Sequence, residues 1–184
     1  MTAALLVVDM QNSFLHPDGE NAWPLAPDLL ANVRGLIDAA ERARAVIVHV
    51  ADRHREGFLD WEHRRLPEHC VQGGFDAAFF QGFGPMGRAR EVEVVKRRYS
   101  AFFATDLALF LREQAVDRVV ICGVKTNVCV RAAAQDAFAH GFEVVVAGNA
   151  TDSNRRHLAE AALEDLGRYF GQVVDARAAV GLLG

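Results

Sequence analysis

The sequence predicts an α/β fold: a single-domain three-layer αβα sandwich around a six-stranded, mainly parallel sheet, formed by residues 1–184. Two observations support this prediction. Short apolar, β-branched runs alternate with amphipathic helical stretches, an order that places helices on the faces of a parallel sheet. The chain of 184 residues is 51% hydrophobic and contains no linker rich in Pro, Gly or Ser, so its length and composition suit a single core.

The predicted elements alternate along the chain. Strands are expected near residues 3–9, 45–50, 91–95, 117–123, 143–147 and 171–175. Helices are expected near residues 27–43, 105–115, 128–140, 155–168 and 175–182. The first helix repeats apolar residues along one stripe from Leu29 to Ala40, the spacing of a helix that packs on a sheet. Gly141 occupies a C-cap position directly before the fifth strand. Only the segment 51–90 is long and irregular, and such connections are usually functional.

Charge and composition exclude several classes of function. The net charge is −4 and the basic residues are interleaved with acidic ones, so the sequence predicts no basic face for nucleic acid. No apolar run approaches the roughly 20 residues of a membrane span, and the N-terminus enters a predicted core strand without a basic leader. The three irregularly spaced cysteines do not suggest a disulfide framework. We therefore expect a cytoplasmic protein whose partner is a small molecule, with no binding to nucleic acid or membrane.

Three reactive side chains lie at the ends of predicted strands. Asp9 ends the first strand, Lys96 ends the third, and Cys129 follows the fourth, where a tight turn opens a helix. Because ligands bind outside the carboxyl ends of strands in open parallel sheets, we expect these groups to converge. The N-terminus of the helix would favour the thiolate form of Cys129. The alternative is a buried, inert cysteine, an interpretation that suits Cys122 within its apolar run.

Three segments of the sequence resemble a known family. They are residues 6–12 (LVVDMQN), 96–102 (KRRYSAF, with TDL at 105–107) and 123–130 (GVKTNVCV). In this order they resemble the isochorismatase-like cysteine hydrolases, a superfamily that includes nicotinamidases, N-carbamoylsarcosine amidase and the ureidoacrylate and biuret hydrolases. The resemblance spans nearly the whole chain. It implies a Rossmann-type sheet and a homo-oligomer.

The same resemblance implies a catalytic triad of Asp9, Lys96 and Cys129. It also implies a non-proline cis peptide between Val124 and Lys125, which would direct the N–H groups of Lys125 and Cys129 at a developing oxyanion. Cys129 would attack a carbonyl carbon, Asp9 would carry the proton to the leaving amine, and Lys96 would hold the two anions together. This thiol chemistry requires no cofactor.

The irregular segment also contains a candidate metal site. Asp52 and His54 follow the second strand, and His69 precedes a Cys-Val-Gln-Gly run. In the nicotinamidase branch that the sequence resembles, residues at these positions bind a divalent metal. An aspartate with two imidazoles would suit Zn²⁺, Fe²⁺ or Mn²⁺. The alternative is that these are ordinary polar loop side chains. The candidates for a fourth protein ligand are Glu56, Asp60, Glu62 and His63.

Four further residues are candidates for substrate contact. Similarity to ureido and carbamoyl amidases implies that Arg98 and Asn127 bind a carboxylate or urea group, although Asn127 equally suits the N-cap of the nucleophile helix. Phe14 and Trp23 would form an apolar wall or simply pack. Lys125 stands where the family commonly has a small residue or threonine. An inward-pointing Lys125 would favour an anionic substrate or lower the pKa of Cys129 further, and an outward-pointing one would be ordinary surface.

These features leave three classes of function. The leading one is a cysteine-dependent amidohydrolase that cleaves a C–N bond of a small amide, carbamoyl or ureido compound through a thioester and releases ammonia or an amine. Metal-assisted deamidation of the nicotinamidase type is a variant of it. The second is isochorismatase-type hydrolysis of a vinyl ether, which needs no attack by a thiol. The third is a non-catalytic binding protein or thiol redox sensor, in which Cys129 is reversibly oxidised.

Overall fold

The computed structural model describes residues 2–184, and its sheet contains six strands that are all parallel to their neighbours. The strands are β1 (Ala3–Val8), β2 (Val46–Asp52), β3 (Glu91–Lys96), β4 (Arg118–Val124), β5 (Glu143–Asp152) and β6 (Gln172–Val174). Their order across the sheet is β3-β2-β1-β4-β5-β6. The predicted six-stranded, mainly parallel sheet is therefore confirmed.

Helices cover both faces of this sheet. They are α1 (Asn12–Leu15), α2 (Leu29–Arg42), α3 (Leu107–Glu113), α4 (Arg131–Ala139), α5 (Arg156–Tyr169) and α6 (Ala176–Val180). Leu5 and Val7 of β1 share a core with α2 and α6, whereas Leu6 and Val8 share the opposite core with α3, α4 and α5. Successive strand residues point to opposite faces, so a strand covered on both sides is apolar throughout. The predicted αβα layers are confirmed. None of the helices within residues 2–184 has the length and apolar character needed to cross a bilayer.

Two strands, β2 and β5, extend at least two residues beyond their predicted carboxyl ends. β2 continues to Asp52, which pairs with Lys96 of β3, and β5 continues to Asp152, which pairs with Val124 of β4. The apolar pattern stops before these residues, but the backbone pairing does not. Pairing with the neighbouring strands therefore fixes the positions of Asp52 and Asp152 at the carboxyl edge of the sheet.

The connections differ more from prediction than the strands do. The helix expected near residues 128–140 begins as a π-helical turn, Thr126–Val130, which leads into α4. The helix expected near 105–115 is shorter than predicted, and neither α1 nor a 3₁₀ turn at Glu62–Arg64 was predicted. Short elements of this kind give no periodic signal in the sequence.

The strand order reverses between β1 and β4, and a crevice at the carboxyl ends is expected at such a point. The two strands approach closely there. Gly123 of β4 has a φ of +106°, and a Cβ atom on it would lie 2.1 Å from the carbonyl oxygen of Val8. Only glycine fits this position. As a result, Asp9 and the π-helical turn leave the sheet side by side.

The segment between β2 and β3 is mostly irregular but is fixed to the sheet. The buried side chain of Gln11 donates from Nε2 to the carbonyl oxygens of Asp52 and Ala77, both at 2.9 Å. Its Oε1 accepts a hydrogen bond of 2.8 Å from the N–H of Asp52. A parallel bridge also joins His54 to Val71. These contacts anchor the segment at the carboxyl end of β2.

Candidate active site

Three buried side chains meet at the switch point of the sheet. Asp9 follows β1, Lys96 ends β3, and Cys129 lies in the π-helical turn after β4. The Nζ atom of Lys96 is 3.0 Å from Oδ2 of Asp9 and 3.6 Å from Sγ of Cys129. The three residues are 0, 1 and 6% exposed, so water screens their interactions little. The structure brings the three residues together, and their catalytic roles stay predictions.

Strand register explains how Lys96 reaches Asp9 from two strands away. Lys96 pairs with Asp52 of β2, and its ammonium lies 3.8 Å from Oδ1 of that residue. The long lysine side chain thus spans the end of β2 to contact Asp9. Asp9 itself has a φ of +52°, which is uncommon for a residue with a side chain, and its N–H donates to the carbonyl oxygen of Val50 at 3.0 Å. The backbone therefore fixes the position of the carboxylate.

Burial and charge give the two carboxylates of this region different pKa values. Burial raises the pKa of Asp9 to about 6, against the opposing effect of the Lys96 ammonium. Burial would also raise the pKa of Asp52, but the Lys96 ammonium and the nearby rings of His54 and His69 hold it below its ordinary range. Burial would lower the pKa of Lys96, yet Asp52 and Asp9 raise it, so the ammonium stays charged. Asp9 is the carboxylate that can gain a proton near neutral pH.

The expected preference of Cys129 for the thiolate form is wrong for this geometry. Burial raises the pKa of the Cys129 thiol well above its ordinary value; the Lys96 ammonium opposes this effect and the Asp9 carboxylate adds to it. The sulfur is almost fully buried, and Cys129 lies in the π-helical turn that leads into α4. The resting group is therefore a thiol beside a carboxylate, and proton transfer to Asp9 would generate the thiolate.

The nucleophile turn begins with a cis peptide bond between Val124 and Lys125, at the position that the resemblance implied. The carbonyl oxygen of Lys125 accepts hydrogen bonds of 3.1 and 3.2 Å from two N–H groups later in the turn. Lys125 is the N-cap and Asn127 lies inside the turn, so the N-cap interpretation of Asn127 is wrong. The oxyanion role of the Lys125 and Cys129 N–H groups stays a prediction.

Four side chains of metal-ligand type gather beside these residues. They are Asp52, His54, Glu62 and His69, all buried, with one donor atom from each within 4.8 Å of the others. Glu62 is thus the fourth-ligand candidate that the structure places with the three predicted ligands. His63 belongs to an overlapping group that contains two of the same histidines. Asp60 contacts His54 instead, and Glu56 is exposed.

Hydrogen bonds around this cluster direct its donor atoms inward. Nδ1 of His54 contacts Oδ2 of Asp60 at 3.0 Å, and Nδ1 of His69 donates to the carbonyl oxygen of Pro67 at 2.8 Å. Both Nε2 atoms consequently face the Asp52 carboxylate, at 3.3 and 3.5 Å. Within residues 2–184, the buried Oδ1 of Asp52 and Nε2 of His54 have no hydrogen-bond partner. Metal-binding histidines are oriented in this way, so the donor set fits a divalent metal.

The charges of the cluster also favour a cation. Burial and the neighbouring Asp52 carboxylate raise the pKa of Glu62. Burial would lower the pKa of His54, but the neighbouring Asp52 and Asp60 carboxylates raise it to about 9. A divalent cation would offset the repulsion between the carboxylates and would compete with the proton on His54. Metal binding at neutral pH is therefore expected to release protons.

A cavity of about 240 Å³ opens onto Cys129. Its walls include Phe14, Tyr99 and Lys125, together with Asp52, Glu62 and His69 of the metal cluster. The thiol and the cluster therefore face the same space. This volume lies below the roughly 300–1,000 Å³ of most ligand pockets, which favours a small substrate.

Of the four predicted substrate contacts, Phe14 lines this cavity. Trp23, Arg98 and Asn127 do not, because each side chain is committed to another partner. The indole N–H of Trp23 donates at 3.0 Å to the carboxylate that ends β5, and Arg98 forms an ion pair of 2.9 Å with Asp60. The side-chain oxygen of Asn127 accepts a hydrogen bond of 2.6 Å from a serine hydroxyl. Their roles in substrate binding stay predictions.

The family model described as the isochorismatase domain matches residues 3–178, which include all six strands, the triad and the metal cluster. The chain belongs to the isochorismatase family. The protein is accordingly an enzyme of the hydrolase class, and the fold predicted from the resemblance is confirmed.

Relatives of this isochorismatase-family hydrolase carry the names of amidohydrolases. The chain is 35% identical over 177 residues to the maleamate amidohydrolase of Pseudomonas putida, covering 93% of this chain and 82% of that protein. It is 33% identical over 178 residues to Nicotinamidase 3 of Arabidopsis thaliana, covering 94% and 84%. The solved pyrazinamidase of Pyrococcus horikoshii in complex with zinc matches with a TM-score of 0.85 and 35% identity, covering 95% and 99%.

Three polar residues of this isochorismatase-family site were missed by sequence analysis. Gln11, which braces the irregular segment, lies within a segment that carried the family resemblance. Asn154 lines the cavity just after β5, and a longer predicted β5 would have placed it at the carboxyl edge of the sheet. Asn21 also lines the cavity, but it comes from an irregular loop and had no signal in the sequence.

Proposed function

We propose that the protein is a cysteine-dependent amidohydrolase that cleaves a C–N bond of a small amide, carbamoyl or ureido compound through a thioester. The observation that supports this most directly is the buried contact of one lysine, Lys96, with both Asp9 and Cys129 beside a small cavity. Cys129 supplies the attacking sulfur, and Asp9 is a proton acceptor whose pKa is raised to about 6 by burial. A proton acceptor of this pKa suits general acid–base catalysis near neutral pH.

In the proposed reaction, the Cys129 thiol gives its proton to Asp9 as sulfur bonds to the carbonyl carbon. Backbone N–H groups of Lys125 and Cys129 hold the oxyanion of the tetrahedral intermediate. Asp9 then returns the proton to the amide nitrogen, the C–N bond breaks, and ammonia or an amine leaves a thioester on sulfur. Water attacks the thioester with Asp9 as base, the C–S bond breaks, and the thiol is regenerated with its proton. Lys96 stays charged throughout and stabilises each anion in turn.

The metal cluster supports a metal-assisted form of this function, as in nicotinamidase-type deamidation. Asp52, His54, Glu62 and His69 would hold the ion, and a bound divalent metal would polarise a substrate carbonyl or bind a substrate nitrogen. The residues of the cluster face the same cavity as Cys129, so they would also orient the substrate toward the thiol. Asp60, which fixes His54, would act as a positioning residue.

Ammonia release tests the proposal. Wild type is assayed with maleamate, nicotinamide and ureidoacrylate, with and without a chelator, and the same panel is run with Cys129→Ala and Cys122→Ala. We expect Cys129→Ala to abolish release and Cys122→Ala to retain it, because Cys122 lies inside the core of β4. Intact-mass measurement after rapid acid quench should show an acyl adduct on wild type only.

Two other outcomes would contradict the proposal. Full activity of Cys129→Ala on a vinyl ether such as isochorismate would indicate acid chemistry by Asp9 and Lys96 without thiol attack. No turnover of any compound, together with reversible oxidation of Cys129 by peroxide, would indicate a redox sensor.

A further inference from the structure

The chain uses lysine in only two places. Of its 20 basic residues, 18 are arginine, and the two lysines are Lys96 and Lys125. Lys96 belongs to the proposed triad, and Lys125 lines the cavity that opens onto Cys129. Lysine carries a compact charge on a flexible stem, which suits a narrow site better than the planar arginine fork does. Lys96 contacts Cys129 from within the protein, whereas Lys125 lines the cavity itself.

The half-buried side chain of Lys125 lines the cavity that opens onto Cys129. Its Nζ atom lies 5.7 Å from the ring centroid of Phe14 and 5.2 Å from that of Trp23, within range of cation–π attraction. Trp23 is fixed in turn, because Asp152 accepts its indole N–H at 3.0 Å and also the N–H of Ala26 at 2.9 Å. The two aromatic rings thus hold the ammonium in place and cover part of its stem.

The two lysines differ in their counter-charges. Lys96 contacts the carboxylates of both Asp9 and Asp52. Within residues 2–184, no carboxylate oxygen comes within 4.0 Å of Lys125, and Cys129 is the only titratable group that affects its pKa besides burial, which lowers it. A half-buried cation costs free energy unless a partner balances its charge. The missing partner is therefore expected to come from a molecule in the cavity.

We infer that Lys125 binds a carboxylate of the substrate, so that the substrate is an amic acid, a small molecule with both a carboxamide and a carboxylate. This inference rests on the proposed function, since the amide end would lie at Cys129 and the anionic end at Lys125. Lys125 would then select substrates, separately from the triad that cleaves them. Lys125, which stands where the family commonly has a small residue or threonine, would then determine the charge of the preferred substrate.

The first experiment compares maleamate with its uncharged methyl ester. Ammonia release gives kcat/KM for both compounds with wild type, Lys125→Met and Lys125→Arg. We expect the ratio of kcat/KM for maleamate over ester to fall roughly 10- to 100-fold in Lys125→Met, mostly through KM, as expected when a charged hydrogen bond is lost. Lys125→Arg should keep a preference for maleamate close to that of wild type, because arginine retains the positive charge. An unchanged ratio in Lys125→Met would overturn the inference. If the substitution disturbs the nucleophile turn, both compounds are affected alike, and the ratio cancels that effect.

A second measurement does not depend on turnover. Calorimetry measures the binding of maleate, a dicarboxylate, to wild type, Lys125→Met and Arg168→Met, each loaded with the same metal. Arg168→Met removes an equal charge from the exposed side of α5 and should bind maleate like wild type. Maleate binding that is weaker in Lys125→Met but not in Arg168→Met would support the carboxylate site. If in addition no amide were hydrolysed, the proposed function would fail but the carboxylate site would stand. Equal binding to all three proteins, or no binding to wild type, would overturn the inference.

Discussion

Cys129 of the triad and three residues of the metal cluster line one cavity, but the two groups are positioned in different ways. Asp9, Lys96 and Cys129 lie at or just after strand ends, where the pairing of four adjacent strands fixes them. The metal cluster takes only Asp52 from a strand, and its other members come from the irregular segment after β2. The difference shows that sheet register fixes the thiol chemistry, whereas a single segment of the chain supplies most of the metal ligands.

Asp52 is the residue that joins these two regions. It contacts Lys96 on one side and the two cluster histidines on the other. A change in the cluster ligands is therefore expected to reach the triad through Asp52. The following predictions test this separation, in order of decreasing effect.

The largest effect is expected from Asp9→Asn, which removes the proton acceptor of the triad. We expect kcat for ammonia release to fall by roughly 10⁴-fold, as is common when one member of a catalytic triad is lost. Zinc affinity should be unchanged, because Asp9 is not part of the cluster. Asp38→Asn on the exposed face of α2 is the matched control. A variant within tenfold of the wild-type rate would show that Asp9 does not carry the proton.

Lys96→Met should chiefly affect stability, because it leaves the buried Asp9 carboxylate without its cation. We expect the free energy of unfolding to fall by about 3–5 kcal/mol at pH 8. The pKa of Asp9 is already raised from 3.8 to about 6 by burial, so its ionisation destabilises the fold as pH rises through that range. The loss should therefore be smaller at pH 5. Urea unfolding measures both values, and the double variant with Asp9→Asn should recover part of the loss; no recovery would mean that the two groups are not coupled.

Asp60→Asn tests the metal cluster without touching a ligand. Asp60 fixes the ring of His54, and loss of such a partner typically lowers metal affinity by roughly 10- to 100-fold. Calorimetric titration with Zn²⁺ in two buffers of different ionisation enthalpy measures affinity and proton release together. Asp18→Asn, at an exposed position, serves as the control. Unchanged affinity would contradict the assignment of His54 as a ligand.

The smallest expected effect is the pH dependence of wild-type turnover. Asp9 must be ionised to accept the thiol proton, and burial raises its pKa to about 6, so kcat/KM should fall as pH drops through that value. The decrease between pH 6 and 5 should be roughly fivefold for a single ionisation, and it should approach tenfold per pH unit only at lower pH. If Asp60→Asn shows the same pH dependence of kcat/KM, the titrating group belongs to the triad and not to the metal cluster. A midpoint near 4 would indicate that burial does not control the Asp9 proton.

Sequence patterns predicted the strands and the residues that follow them directly. Asp9, Lys96 and Cys129 could be located because a polar or reactive residue at the end of an apolar run marks the carboxyl edge of a sheet. Glu62 could not be singled out from its neighbours, since a 3₁₀ turn in an irregular segment places it. The protonation state of Cys129 was also out of reach, because it depends on burial by parts of the chain distant in sequence.

The modest size of the cavity has a consequence for the cell. Asparagine and glutamine side chains of other proteins carry the same carboxamide group that we propose this enzyme cleaves. A space of about 240 Å³ suits a short free amide better than a side chain with its polypeptide attached. We therefore expect the enzyme to leave the carboxamide groups of other proteins intact. The size of the cavity, and not the reactivity of the thiol, would provide this selectivity.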